Sequence, residues 1–92
     1  MVIYMQLSTI TLDRAEPDKL YTVTEIRTEP AMTRRLRELG LIPGTDISLR
    51  RTNWGGAISS YMIRGAQIAF RRETAKRIAV SEHFSGRADN EP

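Results

Sequence analysis

The chain has 92 residues, which is enough for one small domain with a single core. It contains no cysteine and one histidine, so it excludes disulfides, a cysteine nucleophile and a zinc site built from His and Cys within one chain. Lys and Arg outnumber Asp and Glu by 14 to 11, and most of the basic residues are arginine, a type suited to recognising carboxylates or phosphates.

The sequence predicts a cytoplasmic protein that does not insert into a membrane. Its apolar runs are far too short to cross a bilayer. The first six residues, MVIYMQ, lack the basic region and the long apolar stretch of a secretory signal. The absence of cysteine also fits a reducing compartment.

Two strands are predicted before the first helix. Residues 2–12 mix apolar and β-branched types and predict an edge strand, which a short turn follows. Glu16-Pro17-Asp18 is a turn signal. Residues 19–28 then predict the second strand, because they are rich in β-branched and aromatic residues.

One amphipathic helix is predicted to begin at Pro30. Proline suits the first helical position because its missing N–H would be unpaired there in any case. Met32, Leu36 and Leu39 follow at i, i+4 and i+7, so they share one helical face and are predicted to lie in the core.

Two glycines shape the segment after the helix. Gly40 is predicted to end the helix in the left-handed conformation, and Leu41 is then expected to pack back on Leu36. Pro43-Gly44 predicts a second turn, of type II, in which Gly44 supplies the positive φ.

Three further strands are predicted in the second half. Residues 46–52 alternate with Ile47 and Leu49 inward, and this alternation places Arg51 in the core phase, at the rim of a barrel. Asn53-Trp54-Gly55-Gly56 predicts a hairpin loop. The next two strands are predicted over 57–64 and 67–71, with a turn at Gly65-Ala66 and with Ile68 and Phe70 inward in the second. The alternation of the first allows two phases, and the one with Tyr61 and Ile63 inward is favoured over the one with Ile58 and Met62 inward.

The final segment predicts one helical turn and a short closing strand. Residues 72–77 form the turn, with Ala75 facing the core, and residues 78–80 form the strand. Residues 82–92 are polar and lack periodicity, so they predict a flexible tail after a single domain of residues 1–81. Short strands, one helix and tight glycine turns predict a mainly β fold that curls into a small barrel.

Two separated motifs carry a family resemblance. The first is R-R-L-R-E-L-G-L-I-P-G-T at 34–45, and the second is I-R-G at 63–65 followed by I-A-F-R-R-E-T-A-K-R-I-A-V at 68–80. Together they resemble the ferrous iron transport protein A family, FeoA, over roughly residues 12–80. The chain departs from the family pattern in its 53–57 loop.

The resemblance implies an SH3-like β-barrel with the helix covering one side. It also implies a non-enzymatic cytosolic accessory of ferrous iron uptake that binds and modulates FeoB, a transporter with a cytosolic GTP-binding domain. No cofactor is predicted with a defined site. A divalent transition metal is implied by association only, because a similar SH3-like domain ends the metal-dependent repressors.

The candidate partner-binding residues lie outside the predicted core. Arg34, Arg35 and Arg37 lie off the apolar helix face and predict a surface for an acidic partner. A solvated face with an Arg34–Glu38 pair explains them equally well. Trp54 stands at a glycine-rich hairpin tip, where it either folds back on the sheet or forms an exposed anchor.

Three further features have two interpretations each. Met62 is predicted on the outward face, as a contact in a partner or homo-oligomer interface or as a single exposed apolar residue. His83 is a weak metal candidate, since a lone tail histidine is usually solvated. A second basic cluster is either functional or a solvated turn: Arg71, Arg72, Lys76 and Arg77.

Two alternative functions follow from composition and fold. A small barrel rich in arginine, with Tyr and Trp for stacking, is typical of nucleic-acid binding, although the net charge of +3 is small for that role. A metal-sensing domain similar to the repressor C-terminal barrel predicts an Fe(II) or Mn(II) site from carboxylates and His83. An enzyme is disfavoured, because the sequence has no nucleophile–base pair and no phosphate-binding glycine loop.

Overall fold

A computed structural model describes residues 9–82, which form one antiparallel sheet of six strands and two α-helices. The strands are β1 (Thr9–Thr11), β2 (Leu20–Ile26), β3 (Asp46–Asn53), β4 (Ile58–Ile63), β5 (Ala66–Arg71) and β6 (Ile78–Glu82). The helices are α1 (Pro30–Glu38) and α2 (Arg72–Ala75), and 3-10 turns span Leu12–Arg14 and Trp54–Gly56. The sheet order is β1-β6-β2-β3-β4-β5, so β1 and β5 are its edges.

The described residues confirm the predicted order of elements. They include the edge strand β1, while the rest of predicted strand 2–12 before Thr9 lies outside the described residues. Strand β6 extends through Glu82, and the remainder of the predicted tail also lies outside them. Neither helix within residues 9–82 is long and apolar enough to span a bilayer.

The sheet is strongly curled. Leu12 directly follows β1, yet the Tyr61 hydroxyl of β4 approaches its carbonyl oxygen within 3.5 Å. In a flat sheet, strands four places apart would be separated by about 19 Å, at roughly 4.8 Å per strand. No ladder among the described residues joins β1 to β5, so both strands remain edges of the curled sheet.

The inner face of the curled sheet holds the core. Helix α1 contributes Leu36, which is 1% exposed, and α2 contributes Ala75. The Tyr61 and Phe70 rings pack with their centroids 5.7 Å apart. Each fully buried Leu, Ile or Val side chain contributes about 1.5–3 kcal/mol of hydrophobic free energy. The predicted inward residues are buried, except that Ile68 is partly buried: Ile47, Leu49, Tyr61, Ile63, Ile68 and Phe70.

Two β-bulges change which side chains face the core. The register of β2 shifts directly after Val23, so Tyr21 and Val23 are buried and Ile26 also packs against the core. The register of β3 shifts directly after Leu49. Strict alternation predicts that the Arg51 side chain faces the core. It is exposed instead, because the bulge inserts one extra residue before it.

Helix α1 begins and ends as predicted. Pro30 occupies its first turn, where a missing N–H costs no hydrogen bond. At the other end, the Leu41 N–H donates to the Leu36 carbonyl at 2.8 Å, and the Gly40 N–H donates to the Arg37 carbonyl at 2.9 Å. Gly40 has φ +96°, which completes a Schellman motif.

The predicted core position of Leu39 is wrong. Its side chain is 49% exposed, whereas Leu41 is fully buried. Leu41 returns beneath the end of the helix in the Schellman motif and fills the place that helical spacing assigned to Leu39. Met32, on the first turn of the same face, is partly buried against the core.

The turn after the helix is locked by Thr45. Its N–H donates to the Ile42 carbonyl at 3.0 Å, and Gly44 has φ +97°, as a type II turn requires. The Thr45 hydroxyl accepts from the Ile42 N–H and donates to the Gly40 carbonyl, both at 3.1 Å. The Gly44 N–H also donates to the Val23 carbonyl at 2.7 Å, so the turn is held against β2.

The turn between β4 and β5 lies one residue earlier than predicted. Ile63 pairs with Ala66, and the two residues between them, Arg64 and Gly65, have φ +52° and +83°. Two successive positive φ values are those of a type I′ hairpin, whose twist matches the flanking strands. The Arg64 guanidinium donates to the Gly40 carbonyl at 3.3 Å, so this hairpin contacts the end of α1.

Candidate partner-binding surface

The three arginines of α1 are all exposed, but they do not share one direction. Successive residues of an α-helix are rotated by about 100°. Arg34 therefore lies between Arg35 and Arg37, and the three side chains span roughly 160° of the helix surface. All three are available to solvent, and Arg35 and Arg37 line different pockets.

Arg35 borders a groove between α1 and the edge strand β5, which we call the α1–β5 groove. Its volume is about 530 Å³. One wall is α1 with the exposed Leu39, and the other is β5. The groove is lined by Met32, Arg35, Leu36, Leu39, Ile68, Ala69, Phe70, Arg71 and Thr74. Most of its lining side chains are apolar, but its exposed surface is divided about equally between polar and apolar atoms, with an arginine on each wall.

Arg37 faces another side of the helix, towards β2 and the Pro43-Gly44 turn. A pocket of about 250 Å³ lies there. Its lining includes Glu25, whose carboxylate pairs with Arg27 at 3.0 Å and whose pKa that pair lowers. Glu25 and Arg27 neutralise each other, so among the described residues this side keeps one unpaired positive charge, on Arg37. The α1–β5 groove has two within residues 9–82, on Arg35 and Arg71.

The ion pairs of the described chain lie away from the groove. Lys19 lies 3.4 Å from both Glu16 and Glu82, and Arg27 pairs with Glu25. Within residues 9–82, none of the arginines on α1 forms an ion pair, so the Arg34–Glu38 pair of the alternative interpretation is not made there. Their charge is not neutralised by a described neighbour and is directed to solvent.

The other predicted contact residues belong to elements that do not form the walls of the α1–β5 groove. Trp54 begins the 3-10 turn between β3 and β4, where Gly55 and Gly56 have φ +64° and +95°. The Arg72 guanidinium donates to both of those glycine carbonyls at 3.2 Å and so ties this turn to α2. Met62 is partly buried on β4, on the sheet face opposite the core. Their roles in binding stay predictions.

The described residues do not provide a fitting metal site. No group of three or more His, Cys, Asp or Glu side chains comes together within residues 9–82. Divalent transition metals are held by several such ligands. His83, the metal candidate of the sequence, lies outside the described residues.

A third cavity, polar and of about 180 Å³, lies between the 3-10 turn after β1, the middle strands and α2. Asp13 lines it, and its Oδ1 atom is buried without a hydrogen-bond partner among the described residues. Burial raises the pKa of the Tyr61 hydroxyl above its ordinary value. A hydrogen bond with Ser59 opposes this, and the Asp13 charge adds to it. The cavity therefore places the Asp13 side chain near the buried Tyr61 phenol.

Sequence reasoning missed the groove itself. Helical spacing predicts Leu39 in the core, and the sequence leaves Arg71 in a second basic cluster that is either functional or a solvated turn. The signal for Leu39 was the adjacent Gly40, because a Schellman end places the residue after the glycine, Leu41, beneath the helix. The meeting of α1 with β5 has no such local signal, since they are separated by two strands in sequence.

Comparison with known proteins identifies a family model and several similar structures. The model described as the FeoA domain matches residues 10–82. A search of curated proteins finds no match. Among solved structures, an FeoA protein from Chlorobium tepidum is 25% identical, with a TM-score of 0.78, covering 90% of this chain and 79% of that one.

Two further structures extend the fold comparison. An FeoA-like protein from Clostridium acetobutylicum is 23% identical with a TM-score of 0.74, covering 95% of this chain and 100% of that one. A manganese-dependent transcriptional repressor is 18% identical with a TM-score of 0.75, covering 85% of this chain but 44% of its own. The predicted fold class, mainly β and SH3-like with a covering helix, is confirmed by these similarities.

Proposed function

Because the chain belongs to the FeoA domain family, we propose that it is a non-enzymatic cytosolic accessory of ferrous iron uptake that binds the cytosolic part of an FeoB-like transporter and modulates its GTPase. The match over residues 10–82 carries this proposal, since it spans nearly the whole described chain. Family membership links the chain to ferrous iron transport, and the choice of partner and its effect are the proposed steps.

The surface supports a role in binding. Arg34, Arg35 and Arg37 are exposed and form no ion pair with a described residue. Arginine is enriched at protein interfaces and recognises carboxylates through a rigid fork of donors. A net charge of +3 further favours an acidic partner surface.

The test is a titration of the full chain into the purified cytosolic part of the transporter, followed by calorimetry and by GTP hydrolysis. We expect saturable one-to-one binding and a changed hydrolysis rate at saturation. Weak signalling interfaces have dissociation constants on the order of micromolar, so the titration should reach roughly 100 µM. No heat and no change of rate over that range would contradict the proposal.

A matched pair of variants separates charge from fold. Arg34→Gln with Arg37→Gln removes two exposed charges of α1, while Arg50→Gln with Arg51→Gln removes two exposed charges of β3. The α1 variant should bind the transporter more weakly than the β3 variant if the helix surface contributes to binding. Equal affinity of both would place the interface elsewhere.

The two alternative functions have distinct readouts. Nucleic-acid binding predicts salt-dependent affinity for single-stranded or duplex oligonucleotides, whereas the proposed function predicts none at low salt. A metal sensor predicts stoichiometric Fe(II) or Mn(II) binding by calorimetry. The likeness to the manganese-dependent repressor concerns the fold alone, at 18% identity, and it gives no reason to prefer that function.

A further inference from the structure

The outer edge of β5 carries backbone groups that no other strand within residues 9–82 uses. The Arg72 N–H donates to the Ala57 carbonyl at 3.0 Å, one step beyond the β4–β5 ladder. Hydrogen-bonded positions alternate along an antiparallel ladder. The N–H groups of Gln67, Ala69 and Arg71 and the C=O groups of Gln67 and Ala69 therefore point away from β4, towards the open edge. The Arg71 carbonyl is the N-cap acceptor of α2 and is already used.

The α1–β5 groove lies against that edge and has an apolar floor. Ile68 and Phe70 reach it from β5, and Leu39 reaches it from the end of α1 with 49% of its surface exposed. The groove volume of about 530 Å³ lies within the range of ligand-binding clefts, roughly 300–1,000 Å³. An apolar side chain placed here would bury surface that water now contacts.

The charged residues that line the groove among the described residues are arginines, one on each wall. Arg35 stands on α1 and Arg71 on β5. A smaller pocket of about 220 Å³ adjoins the groove at the start of α1, where it is lined by Glu29, Glu73 and Arg77 among others. This smaller pocket carries charges of both signs. We therefore expect an acidic ligand to bind in the part of the groove beside β5.

These three observations specify one occupant. We propose that the α1–β5 groove binds an extended segment of a partner protein, which adds a strand to the open edge of β5. The segment places an aliphatic or aromatic side chain on the floor and pairs its carboxylates with Arg35 and Arg71. Strand addition provides main-chain hydrogen bonds, and alternate side chains provide specificity. Assigning the segment to the cytosolic part of the transporter rests on the proposed function.

The first measurement compares the affinity of groove variants of the full chain for the cytosolic part of the transporter. Arg35→Glu with Arg71→Glu reverses both groove charges, and Leu39→Ser removes exposed apolar surface. Each should weaken binding by about tenfold or more, as expected for residues at the centre of an interface. Arg50→Glu with Arg51→Glu, the same reversal at two exposed arginines of β3 outside the groove, should change the affinity by less than about threefold. Circular dichroism confirms that each variant is folded.

The second measurement uses amide hydrogen exchange followed by NMR. When the transporter's cytosolic part is added, the amides of Gln67, Ala69 and Arg71 should become protected from exchange by about tenfold or more, because they acquire main-chain acceptors. A partner that contacted side chains alone would leave these three amides exchanging as before. That result would overturn strand addition.

The outcomes separate this inference from the proposed function. Unchanged affinity of the groove variants would overturn the groove as the site and leave the proposed function standing. Absence of binding by the unmodified chain would overturn the proposed function first. The three amides could also be protected before any partner is added. Protection that increases with protein concentration would show that the groove holds a second copy of the chain. Protection independent of concentration would show that it holds residues of the same chain. Either result would also overturn the inference.

Discussion

At the scale of single residues, Gly40 combines a left-handed backbone with a close neighbour. Its φ is +96°, and a Cβ atom there would lie 2.8 Å from the Arg64 side chain. We expect Gly40→Ala to lower the free energy of unfolding by about 1–2 kcal/mol, because alanine resists this conformation. Chemical denaturation measures the change. Gly40→Asn should cost less, since asparagine tolerates the left-handed region, and an equal loss would contradict the backbone explanation.

Tyr61 makes stability depend on pH in the alkaline range. Burial raises its pKa in the folded protein, so folding favours the neutral phenol. This contribution is fully present below the ordinary tyrosine pKa of about 10 and is lost as the pH rises through the higher folded value. Between about pH 8 and pH 11, the unfolding free energy of the unmodified protein should therefore fall by more than that of the Tyr61→Phe variant. Parallel losses in denaturation experiments would show that Tyr61 does not titrate in this way.

At the scale of elements, the junction between α1 and β3 depends on one hydroxyl group. Thr45 is 5% exposed, and its Oγ1 serves both the Ile42 N–H and the Gly40 carbonyl. Thr45→Val keeps the shape but leaves these groups without the hydroxyl, so it should cost about 1–3 kcal/mol of unfolding free energy. Thr45→Ser retains the hydroxyl and should cost less. Faster amide exchange at Ile42 in the valine variant would locate the effect, whereas equal stability of both variants would contradict it.

At the scale of the whole molecule, the parts that were predictable are those with short-range causes. Pro30 and Gly40 bound the helix, and Gly44 specifies its turn, because each acts through its own backbone geometry. The bulge that exposes Arg51 and the exposure of Leu39 were not predictable from period alone, since both depend on how elements pack. The α1–β5 groove depends on contact between elements far apart in sequence, so its arginines had no shared local signal.

The distribution of charge over the molecule also makes a prediction for binding kinetics. The excess of positive charge steers an acidic partner, so the association rate with the transporter's cytosolic part should fall as salt is raised. Removing an exposed arginine outside the groove, as in Arg50→Gln, should slow association by less than about threefold and leave dissociation unchanged. Removing Arg71 from the groove should instead raise the dissociation rate, because its charge is desolvated in the complex. Stopped-flow measurements at two salt concentrations separate the rates, and equal effects of both substitutions on dissociation would contradict a localised site.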